Sequence, residues 1–237
     1  MGKWKKWLSA GLYTAMLGTA IIAGPTADVS ANAGNKPYNI ENVSPDAHLA
    51  PSVGDSSSKT SSKAWHKIDG VCYNGSGKKV EGAITRGMDI SEWQGKINWK
   101  EAKKDLDFAF VRISYGTRHL DDYYDYNMTE AEAADVPVGT YVYSLAKTNK
   151  EALAEAQLAI RQMQGHKVSY PVAFDLEDEA TLGTLTRKEI SQIALTFCDE
   201  IRKAGYTPIL YMNLNWYNNF VDWNVLEGSG LDVWIAS

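Results

Sequence analysis

The chain has 237 residues, of which 44% are hydrophobic, 22% charged and 11% aromatic. This is the composition of a globular protein and excludes the disordered and fibrous classes. The 24 basic and 29 acidic residues give a net charge of −5, which argues against a nucleic-acid-binding protein because such proteins carry a basic surface. Two cysteines without a CxxC or Cys/His cluster exclude a disulfide scaffold and a zinc-binding module.

Residues 1–33 are predicted to be an export signal. Three lysines open the segment, residues 8–23 are uncharged and mostly apolar, and Ala31 and Ala33 stand at positions −3 and −1 of a cleavage site. An uncleaved membrane anchor is the alternative, because the uncharged run is nearly long enough to span a bilayer. The Gly, Thr and Pro content of the run favours cleavage. We therefore expect a secreted, extracellular or cell-wall-associated protein that has no membrane contact after cleavage.

Two short regions precede the main domain. Residues 34–63 are rich in Pro, Asn, Ser and Gly, which predicts a flexible linker. Residues 64–83 alternate apolar and polar positions around Asp69-Gly70, and Asn74-Gly75 is a turn signal, so this region is predicted to form a short hairpin against the main domain. The hairpin resembles a single copy of the repeats that bind bacterial cell walls.

From residue 84 to residue 237, apolar runs typical of strands alternate with helical patterns. Thr148 with Glu151, and Thr186 with Glu189, predict capping boxes at the start of two helices. The second helix has an apolar face formed by Ile190, Ile193, Ala194, Phe197 and Ile201. The predicted strands are Ile84–Ile90, Phe108–Ser114, Val138–Ser144, Val172–Leu176, Pro208–Met212 and Leu231–Ala236.

This alternation implies a parallel sheet, which is either open and doubly wound or closed as a barrel. An open nucleotide-binding sheet would carry a GxGxxG turn after its first strand, but this strand ends in Asp89-Ile90-Ser91. Acidic or aromatic residues also stand at the ends of the later strands, namely Tyr115, Tyr143, Glu177, Tyr211 and Trp234. Functional residues at the carboxyl ends of many strands are typical of a (β/α) barrel, which is the predicted fold.

The segment 170–179 carries the strongest chemical signal, because an apolar strand leads into four acids within five residues. On a strand, Asp175 and Glu177 point to the same side, about 6.6 Å apart at ~3.3 Å per residue. Such carboxylates do not ionise independently, so one pKa is expected to rise. A protonated carboxyl group beside an ionised one is suited to cleaving glycosidic bonds. A solvated acidic loop and a cation site are the alternatives, and Asp178 and Glu179 are expected to be loop acids.

These residues lie in motifs that resemble family 25 of the glycoside hydrolases. The motifs follow the family's order over residues 84–237. They are Gly87-Met-Asp89-Ile-Ser91-x-x-Gln94-Gly95, Ile97-Asn-Trp99, Phe108-x-Phe-Val-Arg-Ile-Ser, Val138-Gly-Thr-Tyr141-Val-Tyr143, Phe174-Asp175-Leu-Glu177, Pro208-Ile-Leu-Tyr211 and Trp234-Ile-Ala236. The family comprises bacterial, phage and fungal lysozymes that cleave peptidoglycan between N-acetylmuramic acid and N-acetylglucosamine. The resemblance implies an α/β fold, the irregular TIM-like barrel of the (β/α)5(β)3 type.

The resemblance also implies roles for individual residues. Glu177 resembles the family's general acid/base, and Asp175 resembles the acid that orients or stabilises the 2-acetamido group of the substrate. Asp89 resembles a carboxylate of the first strand that acts either as nucleophile or as electrostatic helper. Attack by the acetamido group would be an exception to the two-carboxylate rule. The implied substrate-binding residues are Tyr143, Tyr211, Gln94 and Trp234, and core packing is the alternative for each aromatic ring.

The expected partner is the glycan strand of peptidoglycan, bound by a monomer that needs no metal or cofactor. The family's closing strands, with a Trp-Gln-Tyr segment and a late Asp, are missing by residue 237. We therefore expect an incomplete barrel with unpaired edges and reduced activity. The alternatives are a non-catalytic wall-binding protein and a chitinase-like glycosidase. In the latter class further alternating acids precede the Glu, whereas positions 171 and 173 here are Pro and Ala.

Overall fold

The computed structural model describes residues 6–9, 66–74, 77–83 and 85–236. The predicted linker and the rest of the predicted export signal lie outside these residues. The strands are β1 (Lys6–Ser9), β2 (His66–Ile68), β3 (Val71–Tyr73), β4 (Gly87–Ile90), β5 (Phe108–Tyr115), β6 (His119–Leu120), β7 (Val138–Tyr143), β8 (Val172–Asp175), β9 (Pro208–Asn213) and β10 (Asp232–Ala236). The helices are α1 (Trp99–Ala102), α2 (Tyr124–Ala133), α3 (Asn149–Met163), α4 (Glu179–Leu182), α5 (Arg187–Lys203), α6 (Leu214–Asn219) and α7 (Trp223–Leu226).

One curled sheet organises the molecule, with the strand order β1-β10-β9-β8-β7-β5-β4. All neighbours along this path are parallel, and β6 adds an antiparallel strand to β5. The six strands predicted from the sequence are β4, β5, β7, β8, β9 and β10. Within the described part of the chain, β1 and β4 form the two edges and do not pair with each other. The predicted α/β class is confirmed as a half-barrel that does not close.

The interior of the half-barrel is filled by alternate residues of the strands, because successive side chains point to opposite faces. Two glycines make room for the aromatic rings. An added Cβ at Gly87 would lie 2.0 Å from the ring of Phe108, and one at Gly139 would lie 2.6 Å from the ring of Phe110. The interior cluster consists of Phe108, Phe110, Ala173, Ile209 and Trp234, with Tyr141, Tyr170 and Tyr211 packed against it.

Helices cover the outer face of the sheet. The apolar face predicted for α5 is confirmed, since all five of its residues are buried, and Phe197 stacks on Phe174 of β8 with ring centroids 4.0 Å apart. The capping box that opens α5 is complete. At the start of α3 only half of the predicted box forms, because Glu151 accepts its hydrogen bond from the N–H of Lys147 instead.

The hairpin of β2 and β3 lies at the amino ends of the barrel strands. Its turn residues Asp69 and Gly70 have φ values of 49° and 78°, as a tight two-residue hairpin turn requires. Lys67 forms an ion pair with Asp107 at 2.9 Å, and Asp107 also accepts a hydrogen bond from the N–H of Arg86 at 2.7 Å. Arg86 and Asp107 directly precede β4 and β5, so the hairpin contacts the end of the barrel opposite the predicted catalytic residues.

The two cysteines, Cys72 and Cys198, are both buried and free. Of the helices that the structure describes, none has the length and apolar character needed to cross a membrane.

Candidate active site

The three predicted catalytic acids lie at the carboxyl ends of β4 and β8. Asp175 is the last residue of β8, and in the register of the sheet it stands between Tyr143 of β7 and Tyr211 of β9. Glu177 follows two residues later, and Asp89 is the third residue of β4. The mouth of the half-barrel therefore collects the carboxylates and two of the predicted substrate-binding aromatics.

The ionisation of Asp175 is disfavoured by its surroundings. Its side chain is buried, and burial raises its pKa well above the usual range. The negative charges of Glu177 and Asp89 raise this pKa further, whereas the positive charge of Arg112 opposes them. Within the described residues, the Oδ1 atom of Asp175 is buried without a hydrogen-bond partner. Asp175 therefore has a raised pKa of the kind expected for a member of the carboxyl pair.

Asp89 is half-buried inside the barrel mouth. Burial raises its pKa to about 6, and a hydrogen bond from its own backbone opposes this shift. The group is consequently ionised only above mildly acidic pH, and its charge reaches both Asp175 and Tyr141.

Glu177 is held by an amide that the sequence did not indicate. Its side chain is 9% exposed, and its Oε2 accepts a hydrogen bond from Nδ2 of Asn213 at 3.3 Å. Asn213 ends β9, and its Oδ1 accepts the N–H of Trp216 at 3.0 Å to cap α6. The cap fixes the orientation of the amide, so that Nδ2 points to Glu177. The available signal was the position of Asn213, two residues after Tyr211 on the same strand.

An ion network around the buried pair Arg112 and Asp121 supports the loop that follows Asp89. Arg112 of β5 donates from Nε to Asp121 at 3.0 Å and from Nη2 to Glu92 at 2.7 Å, and His119 contacts the other oxygen of Glu92 at 2.6 Å. Burial would raise the pKa of Glu92, but the bond to His119 and the charge of Arg112 hold it below the usual range. Burial outweighs the same charge at Asp121 and raises its pKa. The network ties the β4 loop to β5.

The predicted substrate-binding residues differ in their surroundings. Tyr143 and Tyr211 are half-buried beside Asp175. Trp234 is only 2% exposed and packs against Tyr211 with ring centroids 4.7 Å apart. Gln94 uses its Oε1 to accept the N–H of Ser91 at 2.8 Å, which closes the 3-10 turn Glu92–Gln94.

Two further residues of the site had been assigned no role. Asp178, which we expected to be an ordinary loop acid, is buried and accepts hydrogen bonds from the hydroxyl groups of Tyr115 at 3.2 Å and Tyr143 at 3.4 Å. Tyr141 lies in the interior, where burial raises its pKa well above the usual range and the charges of Asp89 and Asp175 raise it further. The sequence signal for Asp178 was that it directly follows Glu177. The signal for Tyr141 was that it stands two residues before Tyr143 on the same strand.

The described ranges contain no group of three or more His, Cys, Asp and Glu side chains that could hold a metal ion. The acids 175, 177, 178 and 179 are accordingly not gathered into such a group.

Comparison with known proteins identifies the family of this barrel. The model of glycosyl hydrolases family 25 matches residues 88–237. The chain belongs to this family. The matched region begins one residue before Asp89, contains every predicted site residue, and leaves the hairpin outside.

Two relatives and one solved structure illustrate the family 25 similarity. Lysozyme M1 of Streptomyces globisporus is 37% identical over 60 residues, which are 25% of this chain and 20% of that protein. The uncharacterized protein YegX of Escherichia coli (strain K12) is 25% identical over 139 residues, which are 56% of this chain and 49% of YegX. This chain thus spans about half the length of that curated relative. The structure of a family 25 glycosyl hydrolase from Bacillus anthracis superposes with a TM-score of 0.54 at 23% identity, covering 64% of this chain and 69% of that one.

Proposed function

We propose that this chain hydrolyses the β-1,4 bond between N-acetylmuramic acid and N-acetylglucosamine in peptidoglycan, with Glu177 as the general acid and base. The observation that carries the proposal is the buried pair of carboxyl groups, Asp175 and Glu177, at the mouth of a family 25 barrel. Membership of the family supports glycoside hydrolysis, and similarity to Lysozyme M1 supports peptidoglycan as the substrate.

Glu177 acts first as an acid and then as a base. Its protonated form gives a proton to the glycosidic oxygen while the bond from that oxygen to C1 breaks. The carboxylate that remains later takes a proton from the water that attacks C1. The amide of Asn213 donates to Oε2 and holds the carboxyl group in one orientation through both steps.

Asp175 regulates where the proton of the carboxyl pair resides. Two interacting carboxyl groups can share a proton, and in the free protein burial and the charge of Glu177 both favour the protonated form of Asp175. The substrate's acetamido N–H would supply a donor to the buried Oδ1 atom. That hydrogen bond favours the ionised form of Asp175, so the proton moves to Glu177, where bond cleavage requires it.

Asp89 supplies negative charge near C1 when it is ionised. Either its carboxylate or the oxygen of the substrate's acetamido group attacks C1. The two routes differ in their dependence on Asp89, because only the first is abolished when Asp89 is replaced by Asn.

We place this activity outside the cytoplasmic membrane, in or near the cell wall, on the basis of the signal pattern in residues 1–33. Cleavage after Ala33 would remove β1 and leave β10 at the edge of the sheet. The domain arrangement that follows is a linker over 34–63, the hairpin over 64–83 and a monomeric catalytic barrel over 84–237.

The decisive experiment compares two neighbouring acids on purified peptidoglycan. Glu177→Gln should lower the release of reducing ends by at least about 100-fold, the usual contribution of general acid–base catalysis. Glu179→Gln is the matched control and should leave turnover unchanged, since Glu179 is an exposed residue of α4. Products should carry muramic acid at the reducing end.

Each other outcome points to a specific alternative. Full activity of Glu177→Gln contradicts the assigned role. Products that end in N-acetylglucosamine indicate a chitinase-like or glucosaminidase specificity. Sedimentation of the chain with the wall, without any new reducing ends, indicates a non-catalytic wall-binding protein.

A further inference from the structure

Asp178 joins three elements of the barrel mouth through one carboxylate. Its Oδ1 accepts the N–H of Thr181 at 2.8 Å and caps α4. Its Oδ2 accepts the hydroxyl groups of Tyr115 and Tyr143, at the ends of the neighbouring strands β5 and β7. The residue directly follows Glu177, so the same short segment carries the proposed acid/base and the anchor of two tyrosines.

Capping a short helix does not require this arrangement. The four-residue helix α7 also has an aspartate cap, Asp222, whose side chain accepts the N–H of Asn224 at 3.1 Å. Asp222 performs that task on the outside of the barrel, where α7 packs against α5. The two tyrosine bonds of Asp178 therefore point to a role beyond the cap.

The two tyrosines form one rigid aromatic unit. Their rings stack with centroids 4.8 Å apart and planes 17° apart, and the N–H of Gly116 bonds to the carbonyl of Tyr143 at 2.8 Å. Tyr115 is 37% exposed, whereas Tyr143 is half-buried. Burial raises the pKa of Tyr115, and Asp178 raises it further, so its hydroxyl group stays a donor. Tyr115 is therefore the more exposed member of the unit.

We propose that Tyr115 is a sugar-contact residue of the cleft and that Asp178 is the positioning residue that fixes Tyr115 and Tyr143 beside Glu177. The ligand is a pyranose ring of the glycan strand, whose C–H face packs on a flat aromatic ring while its hydroxyl groups face the polar side chains of the cleft. The inference rests on the proposed function and adds two residues to the binding machinery.

The test separates the hydrogen bonds from the helix cap. Asp178→Ser keeps a capping hydroxyl, since serine is a good cap, but its side chain is too short to hold the tyrosines. With a soluble tetrasaccharide of alternating N-acetylglucosamine and N-acetylmuramic acid, we expect KM to rise about tenfold, because a hydrogen bond to a charged group contributes about that factor. We expect kcat to change by less than about threefold, since Asp178 does not touch the reacting atoms.

Tyr115→Phe removes one of the hydrogen bonds that Asp178→Ser also removes. The KM of the double variant Asp178→Ser/Tyr115→Phe should therefore be no higher than the KM of Asp178→Ser alone. Tyr115→Ala removes the ring and should raise KM at least as much as Asp178→Ser. Asp222→Ser is the matched control and should leave KM unchanged. If Asp178→Ser does not fold, Tyr115→Phe and Tyr115→Ala keep the test open, since both leave the helix cap of Asp178 in place.

If the wild-type chain cleaves the tetrasaccharide, two results would overturn this inference and leave the proposed function intact. One is a fall in Tm for Asp178→Ser with KM unchanged, which identifies Asp178 as a cap only. The other is full additivity of Asp178→Ser and Tyr115→Phe, which shows that the two residues do not act together. A wild-type chain that neither binds nor cleaves the tetrasaccharide overturns the proposed function, and this inference falls with it.

Discussion

The charge of Asp89 raises the pKa of Asp175, although two strands, β5 and β7, separate the strands that carry these residues. In a flat sheet, side chains three strands apart would be about 14 Å from each other. The curl of the half-barrel brings both carboxylates into one water-poor interior, where like charges interact strongly. The site is therefore a product of the curvature of the sheet.

Replacing Asp89 by Asn should lower the pKa of Asp175, because it removes one of the charges that raise this pKa. The pKa should still lie above the usual range for Asp, since burial is its largest cause. Titration of the Asp175 carboxyl carbon by 13C NMR measures the shift directly. Asp232→Asn, at the amino end of β10, is the control and should have no effect. An unchanged Asp175 pKa in Asp89→Asn would show that the two groups do not interact.

The stability of the protein should depend on pH through the buried residue Glu155. It is buried in α3, accepts hydrogen bonds from Ser144 and from the N–H of Leu145, and burial raises its pKa from 4.5 to about 7. A raised carboxyl pKa contributes stability that is complete below pH 4.5 and is lost as the pH rises through 7.

Glu155→Gln should therefore match the wild type at pH 4 and be more stable at pH 8, by about 3 kcal/mol at ~1.4 kcal/mol per pKa unit. Urea unfolding at both pH values measures the difference. The exposed Glu130→Gln on α2 should show no such pH dependence. Equal free energies of unfolding for Glu155→Gln and wild type at pH 8 would contradict the raised pKa.

The network around Arg112 should be sensitive to loss of its cation. Arg112→Met leaves the buried carboxylate of Asp121 without its cation, beside the half-buried carboxylate of Glu92, and should cost about 3–5 kcal/mol of unfolding free energy at pH 7. The loss should shrink at pH 4, where the carboxylates gain protons. The unfolding free energy of Arg112→Lys should lie between those of the wild type and Arg112→Met, because one ammonium group does not reproduce the two-sided contact of a guanidinium group.

The exposed Arg118→Met is the control and should change the unfolding free energy by less than about 0.5 kcal/mol. Urea unfolding at both pH values measures all three variants. An Arg112→Met variant as stable as wild type at pH 7 would show that the ion network does not support the β4 loop.

Local patterns predicted the elements well. The apolar run 172–176 and the observed strand Val172–Asp175 differ by one residue, and the complete capping box of Thr186 and Glu189 opens α5 as predicted. These features depend on side-chain alternation and on hydrogen bonds within four residues, which a sequence displays directly. The half-formed box at Thr148 differs because a neighbouring N–H, that of Lys147, competes for the same carboxylate.

The sequence alone thus determined the order of the six main strands and of α3 and α5, the family resemblance and the candidate acids Asp89, Asp175 and Glu177. Only the tertiary structure decided which groups surround them. Asn213 of β9 donates a hydrogen bond to Glu177. Asp178 accepts hydrogen bonds from Tyr115 of β5 and Tyr143 of β7. Burial and the nearby negative charges raise the pKa of Asp175. Contacts of this kind depend on strand register and on the curl of the sheet. Burial and charge act through space, so residues far apart in the chain set the chemistry of each acid.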